Sequence, residues 1–156
     1  MEQQDQNIQQ TYSKMAQLCS RSEQCSADIR KKILAYEIVE EIVDEIIDKL
    51  IEEKFIDDER YVRAYVKDKF RFNKWGKTKM RYYLKAKGLS DEVIEQGLAV
   101  IDDEKYRDLL VRTMKSKAKT IKKKNKFDKM GQVIRFAQSR GFEPELIHRY
   151  MNLALK

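Results

Sequence analysis

Three groups of side chains in the sequence have the functional groups that catalysis or metal binding requires. Asp57–Glu59 is a run of adjacent carboxylates, of the kind that holds Mg²⁺ in phosphoryl-transfer sites. Such a site needs further carboxylates, whereas a helix start explains this run directly, since short acidic side chains accept hydrogen bonds from first-turn N–H groups. Cys19, Cys25 and the single His148 lie in no ligand or nucleophile pattern. The sequence therefore predicts no enzyme, no metal and no cofactor.

The charged residues favour binding to a polyanion instead. The 156 residues include 33 Lys and Arg against 26 Asp and Glu, a net charge of +7. Residues 1–60 carry 8 basic and 15 acidic side chains, whereas residues 61–156 carry 25 and 11. This asymmetry predicts a basic surface for a polyanion and an acidic end with another task.

Two stretches, 63–87 and 115–129, hold most of the positive charge. Lys pairs with phosphate as a point charge and releases counterions, but it rarely reads bases in bidentate fashion, so contact without sequence preference is predicted. A solvated, frayed helix end is the alternative for 115–129. The predicted contacts with such a polyanion are Arg71, Lys74, Lys77, Lys79, Arg81, Lys85, Lys115, Lys117, Lys119, Lys122, Lys123, Lys124, Lys126 and Lys129.

The aromatic residues of 70–79 and the acidic residues of 37–53 each allow two interpretations. Residues 70–79 interleave aromatics with cations, a pattern that stacks single-stranded bases or anchors a protein interface. Phe70 and Trp75 are predicted to close the hydrophobic core where two helices meet, and Phe72 is left open. The acidic face of residues 37–53 is either solvated or a contact for a basic partner surface.

The elements that carry these residues are predicted to be helices. One Pro and five Gly are too few turn-forming residues for a turn-rich β fold. The apolar residues recur at spacings of three and four, which is typical of helices. About nine helices follow, with Asp57 or Asp58, Ser90 and Pro144 at starts and Gly88 and Gly141 at ends. No apolar run is long enough for a membrane span, and the N-terminus is polar, so a cytoplasmic location is expected.

An internal repeat organises these helices. Residues 79–94 align without gaps with residues 132–147, matching Gly88 to Gly141, and residues 28–47 align more weakly with 79–98. A helix triplet cannot bury its apolar faces alone, so neighbours must stack. We predict an all-α fold of three tandem three-helix repeats stacked into an elongated curved rod. The units are a disordered tail over 1–9 and repeats over 10–51, 52–102 and 103–156.

One stretch of the chain carries a specific set of residues. The set consists of Phe55-Ile56-Asp57-Asp58-Glu59-Arg60-Tyr61, Lys74-Trp75-Gly76-Lys77, Met80, Leu84 and Lys87-Gly88-Leu89. With this set, residues 50–98 resemble the central repeat of the RecX family of bacterial regulators of the RecA recombinase. The resemblance covers most of residues 12–156, and one departure is the absence of a glycine near Glu37 in the first repeat.

The resemblance implies a regulator, not an enzyme. Proteins of this family bind the RecA filament on DNA, lie along its groove and inhibit filament growth, ATP hydrolysis and strand exchange. The implied partners are the RecA filament and single- or double-stranded DNA, bound weakly and without sequence preference, by a monomer. The alternative is a stand-alone, sequence-nonspecific nucleic-acid-binding protein.

Overall fold

The computed structural model describes residues 2–122 and 125–155. Within these residues the chain forms nine α-helices and one π-helical turn and has no strand, which confirms the all-α prediction. The elements are α1 (Glu2–Arg21), α2 (Ser26–Leu34), α3 (Glu40–Glu52), α4 (Asp58–Asp68), the π turn (Lys69–Asn73), α5 (Lys77–Ala86), α6 (Asp91–Leu98), α7 (Asp103–Thr120), α8 (Lys126–Ser139) and α9 (Pro144–Ala154).

The helices pack in three consecutive groups of three. Helices α1 and α2 pack on α3, α4 and α5 pack on α6, and α7, α8 and α9 pack on one another. The accessible surface of 10538 Å² exceeds the roughly 8,200 Å² expected of a compact monomer of 18.6 kDa. A stack of helical repeats has this excess because each unit contacts only its neighbours. The exact repeat boundaries stay a prediction.

The first helix begins earlier than predicted. Helix α1 starts at Glu2, so the prediction of a disordered tail is wrong for residues 2–9. Gln and Glu, which dominate this stretch, are good helix formers. Ile8 is half-buried against the first-repeat core and lies at helical spacing from Tyr12, Met15 and Cys19, so the apolar face of α1 extends into the polar stretch.

The predicted helix ends are confirmed. The Asp57 carboxylate accepts from the Arg60 amide at 3.1 Å, and Ser90 Oγ accepts from the Val93 amide at 3.3 Å. Gly88 and Gly141 end α5 and α8 with φ of 85° and 98°. These left-handed conformations cost little at glycine because it has no Cβ.

The first repeat places a glutamate at the corresponding helix end. Glu37 follows α2 with φ of 58°, 51 residues before Gly88. A side chain in this conformation is strained by about 1–2 kcal/mol. A glycine at this position would remove the strain, but part of the gain in stability would be lost because glycine adds conformational freedom to the unfolded chain.

We expect Glu37→Gly to raise the free energy of unfolding by about 0.5–1 kcal/mol. Glu37→Ala is the matched control, since it removes the same side chain and leaves the strain in place. Urea unfolding of the two variants gives the comparison. A glycine variant no more stable than the alanine variant would contradict the assignment.

The buried apolar residues form two cores. One core is built from α1, α2 and α3 with Ile56. The other runs through the second and third repeats and takes Cys25 from the first. The second and third repeats therefore share one hydrophobic interior, which the first repeat contacts at its edge.

Polar contacts join the first repeat to the second. Asp58 caps α2 across the junction, accepting from the Ser26 amide at 2.9 Å and its hydroxyl at 2.8 Å. Lys87 Nζ donates to Asp28 at 2.8 Å, and this bond raises the pKa of the Lys87 ammonium above its usual value. Each carboxylate is thus used in holding two repeats together.

Backbone contacts join the second repeat to the third. The Gly76 amide donates to the Arg140 carbonyl at 2.7 Å, and the Thr78 amide donates to the Gly141 carbonyl at 2.9 Å. A Cβ on Gly76 would lie 2.5 Å from the Phe142 amide nitrogen and closer still to the Gly141 carbonyl group. The turn predicted at Gly76 is therefore a point where two backbones meet.

A buried tyrosine completes this second junction. Tyr106 Oη accepts from the Lys77 amide at 2.8 Å and donates to the Glu143 carboxylate. Burial, with the Glu143 hydrogen bond, raises the pKa of Tyr106 far above its usual value. The start of α5 is therefore fixed by side-chain and backbone bonds to the third repeat.

Candidate nucleic-acid interface

The predicted contact residues fall into two separate groups. Six of them lie between the π turn and the end of α5, and the described members of the other group lie on the end of α7, at Lys122 and on the start of α8. Lys123 and Lys124 lie outside the described residues. Both groups belong to the second and third repeats, which share one core.

Arg71 and Lys74 are exposed on the π turn and the residue after it. The turn follows α4 directly, and the Trp75 amide closes it by donating to the Lys69 carbonyl at 3.1 Å. Lys74 has φ of 58°, a conformation rare outside glycine. Both cations line a cleft between the π turn and α7, with a volume of about 580 Å³.

Lys77 and Lys79 are half-buried at the junction between repeats two and three. The Lys77 ammonium lies 4.9 Å from the centre of the Tyr106 ring, and the Lys79 ammonium lies 4.7 Å from that of Trp75. Lys79 Nζ also lies 3.3 Å from the Ser139 carbonyl oxygen. These two lysines have partners within the chain, so an added ligand would compete with those contacts.

Arg81 and Lys85 form ion pairs with the neighbouring helix α6. The Arg81 guanidinium donates to both oxygens of Glu95, and Lys85 Nζ lies 3.1 Å from Asp91. The Arg81 hydrogen bond lowers the pKa of the Glu95 carboxyl below its usual value. The field of these two cations is therefore partly neutralised before any ligand binds.

The second group follows one end of the third repeat. Helix α7 ends at Thr120 and α8 begins at Lys126, with the Asn125 side chain accepting from the Phe127 amide at 2.9 Å. Lys117 lies 5.0 Å from the Phe136 ring, and Lys129 is half-buried. The exposed members are Lys115, Lys119, Lys122 and Lys126.

Three cations of the cleft were not among the predicted contacts. Lys67, Lys105 and Arg112 line it together with Arg71 and Lys74. Their spacing in the sequence places them on common helix faces. Lys67, Arg71 and Lys74 are spaced by four and three, and Lys105 and Arg112 are spaced by seven. The two runs lie 31 residues apart in sequence, so only the packing of α7 beside the π turn brings them together.

The aromatic residues near the cleft divide as the sequence suggested. Phe70 and Trp75 are half-buried against the second core, which confirms their predicted role in packing. Phe70 stacks on Tyr106 with ring centres 6.3 Å apart. Phe72, for which the sequence favours neither role, is 69% exposed, and the Arg71 guanidinium lies 5.3 Å from its ring centre.

The other chemically versatile side chains have structural positions. Asp57 and Asp58 cap α4 and α2, and Cys19 and Cys25 are buried and free. His148 is exposed on α9. In the described part of the chain, no three His, Cys, Asp or Glu side chains are grouped so that they could hold a metal ion.

The helices and the exposed cations define the class: a protein of tandem three-helix units whose second and third units present a basic surface. A family model described as the RecX second three-helix domain matches residues 57–98. Together with the curated sequence relatives below, this match identifies the chain as a member of the RecX family.

Curated relatives share part of their length with this chain. It is 32% identical over 109 residues to the regulatory protein RecX of Clostridium tetani, a match covering 67% of this chain and 48% of that protein. It is 31% identical over 94 residues to the regulatory protein RecX of Clostridium perfringens, covering 59% and 43%. The chain thus spans about half the length of the curated relatives it matches.

Solved structures show the same fold. The crystal structure of RecX from Lactobacillus salivarius superposes with a TM-score of 0.89 at 21% identity, covering 96% of this chain and 97% of that one. A second crystal structure, of a regulatory protein RecX, gives 0.86 at 21% identity, covering 96% and 73%. Both likenesses agree with a rod of helical repeats. No helix in the described ranges has the length and apolarity that crossing a membrane requires.

Proposed function

We propose that this chain is a regulator of the RecA recombinase that binds along the RecA filament on DNA. It would act on filament growth, ATP hydrolysis and strand exchange as an inhibitor, and without catalysis of its own. Membership of a family whose curated relatives are named regulatory protein RecX is the observation that carries the proposal. The site of action would be the cytoplasm, with the monomer as the active form.

The shape and charge of the molecule support this proposal. An elongated stack of helical repeats can bind along a groove, because each repeat can contact the next stretch of the filament. The basic second and third repeats would be attracted to the DNA that the filament contains. Junction bonds such as that from the Gly76 amide to the Arg140 carbonyl favour a fixed relative orientation of these repeats. The acidic first repeat would face a surface other than DNA.

Simple DNA binding is the second candidate function. The exposed Lys115, Lys119, Lys122 and Lys126 favour it, because clustered lysines bind phosphates without reading sequence. Such a protein would also inhibit RecA, but only by covering the DNA. The two candidates therefore differ in the amount of protein that inhibition requires.

We expect inhibition of DNA-dependent ATP hydrolysis by RecA at ratios of this chain too low to coat the DNA. A growing filament is stopped by few bound molecules, whereas competition for DNA requires many. The measurement is RecA ATPase activity against the concentration of this chain, repeated over a range of salt. Inhibition that appears only at coating ratios and follows DNA affinity across salt would favour the second candidate.

A further inference from the structure

The cleft between the π turn and α7 has a basic rim. Lys67, Arg71 and Lys74 line the side formed by α4 and the π turn, and Lys105 and Arg112 line the side formed by α7. None of the five forms an ion pair within the described ranges 2–122 and 125–155. Arg81 and Lys85, on the nearby α5, are both paired. The rim therefore concentrates positive charge that no ion pair within these ranges compensates.

Two carboxylates also line the cleft and offset only part of the positive charge of the rim. Asp102 caps α7, accepting from the Lys105 amide at 3.0 Å. Its charge is thus directed at the helix N-terminus. Asp68 is exposed at the end of α4. Five cations against these two anions give the cleft a net charge that attracts an acidic ligand.

The backbone at the cleft is unusual in two respects. The side that carries Arg71 is a π-helical turn, and such turns are rare and occur often at functional sites. Lys74, which ends the turn, is held at φ of 58°. Arg71 on the turn and Lys74 directly after it both line the cleft. The conformation of Lys74 has a cost in backbone energy.

The floor of the cleft is apolar and largely aliphatic. It is lined by Val66, Phe70, Ile101 and Leu109, and Val100 at its edge is 51% exposed. A nucleobase seated here would bury its polar edges against hydrocarbon without hydrogen-bond partners, which is unfavourable. An aliphatic or aromatic side chain of a peptide has no such groups to bury. The floor therefore favours a peptide over a nucleic acid.

We propose that this cleft binds an acidic peptide segment with an apolar anchor residue, which inserts against the floor while its carboxylates pair with the rim. Arg71 and Arg112 suit this role because a guanidinium binds a carboxylate through two parallel hydrogen bonds. The inference rests on the proposed function in one respect: the segment would belong to the protein component of the filament. DNA contact would then fall to the lysines around the end of α7.

The test uses the full chain and three fluorescent probes. The first is a peptide of sequence Glu-Asp-Glu-Leu-Phe-Asp-Glu-Asp. The second has Ser-Ser in place of Leu-Phe, and the third is a short oligothymidylate. Affinities are measured by fluorescence anisotropy for the wild type, for Lys105→Glu with Arg112→Glu, and for Val100→Ser. The control is Arg135→Glu with Arg149→Glu, an equal charge change at exposed sites outside the cleft lining.

We expect the Leu-Phe peptide to bind more tightly than the Ser-Ser peptide. The Lys105 and Arg112 double variant should lose roughly tenfold or more in affinity for it, and the control should change little. Val100→Ser should reduce binding of the Leu-Phe peptide alone. Equal binding of the two peptides, or loss of oligothymidylate binding in place of peptide binding, would overturn the proposal.

The same proteins assayed for RecA inhibition separate this inference from the proposed function. Peptide binding at the cleft without any effect on RecA would remove the proposed function and leave the cleft assignment intact. Full inhibition by the Lys105 and Arg112 double variant, with no peptide binding by the wild type, would remove the cleft assignment and leave the proposed function.

Discussion

Replacing Gly76 with alanine is expected to lower the free energy of unfolding by about 3 kcal/mol or more, because the added methyl group has no space. Its Cβ would lie 2.5 Å from the Phe142 amide nitrogen and closer to the Gly141 carbonyl group. These neighbours are backbone atoms, which cannot rotate away as a side chain can. The backbones of the second and third repeats would have to separate.

That separation would also break hydrogen bonds at the junction. The Gly76 amide would lose the Arg140 carbonyl, and the adjacent bond from the Thr78 amide to the Gly141 carbonyl would lengthen. A buried polar group left without a partner costs about 1–3 kcal/mol. The expected loss of stability is therefore larger than that caused by overpacking an ordinary core position.

Gly131→Ala is the matched control for this substitution. Gly131 lies inside α8, and a Cβ there would lie 3.3 Å from the end of the Arg135 side chain, which can move. Alanine in a helix interior should stabilise the protein by about 0.5–1 kcal/mol. Thermal and urea unfolding should thus shift in opposite directions for the two variants. A Gly76→Ala protein as stable as the wild type would contradict the close junction.

Replacing Lys122, Lys123 and Lys124 together with alanine is expected to lower DNA affinity about tenfold or more at low ionic strength. Each phosphate contacted contributes about 0.9 to the slope of log affinity against log salt for duplex DNA, so the slope should flatten by about 2.7. The fold should be retained. The measurement is DNA affinity over a series of salt concentrations.

A triple alanine variant of Arg21, Lys31 and Lys32 is the control for charge alone. These residues are exposed on the first repeat, so their removal changes the net charge equally. It should change the salt slope little. An unchanged slope in the Lys122, Lys123 and Lys124 variant would remove this run from the interface.

The helices and their ends were predictable because local rules set them. Asp57, Ser90 and Pro144 mark helix starts, and Gly88 and Gly141 mark ends through residue-specific backbone preferences. The repeats followed from these signals recurring at nearly constant spacing. The start of α1 is hard to predict because residues 2–9 are mostly polar, and Ile8 is the one apolar residue there that continues the helical spacing.

The candidate site was predictable only in part. Charge density along the chain selects Arg71 and Lys74, which line the cleft, and equally Arg81 and Lys85, whose pairing with α6 depends on tertiary packing. The cleft combines α4, the π turn and α7, so no local pattern shows its floor or its five-cation rim. The close approach at Gly76 was likewise hidden, since a turn glycine and a contact glycine have the same sequence signal.

We expect this chain to recognise an assembled RecA filament and not DNA alone. The most direct test is an anisotropy titration of the fluorescently labelled chain at physiological salt. It compares RecA filaments held on oligothymidylate by a slowly hydrolysed ATP analogue, the same DNA without RecA, and RecA without DNA. We predict affinity for the filament at least about tenfold tighter than for either component. Equal affinity for bare DNA and for the filament would contradict recognition of the filament.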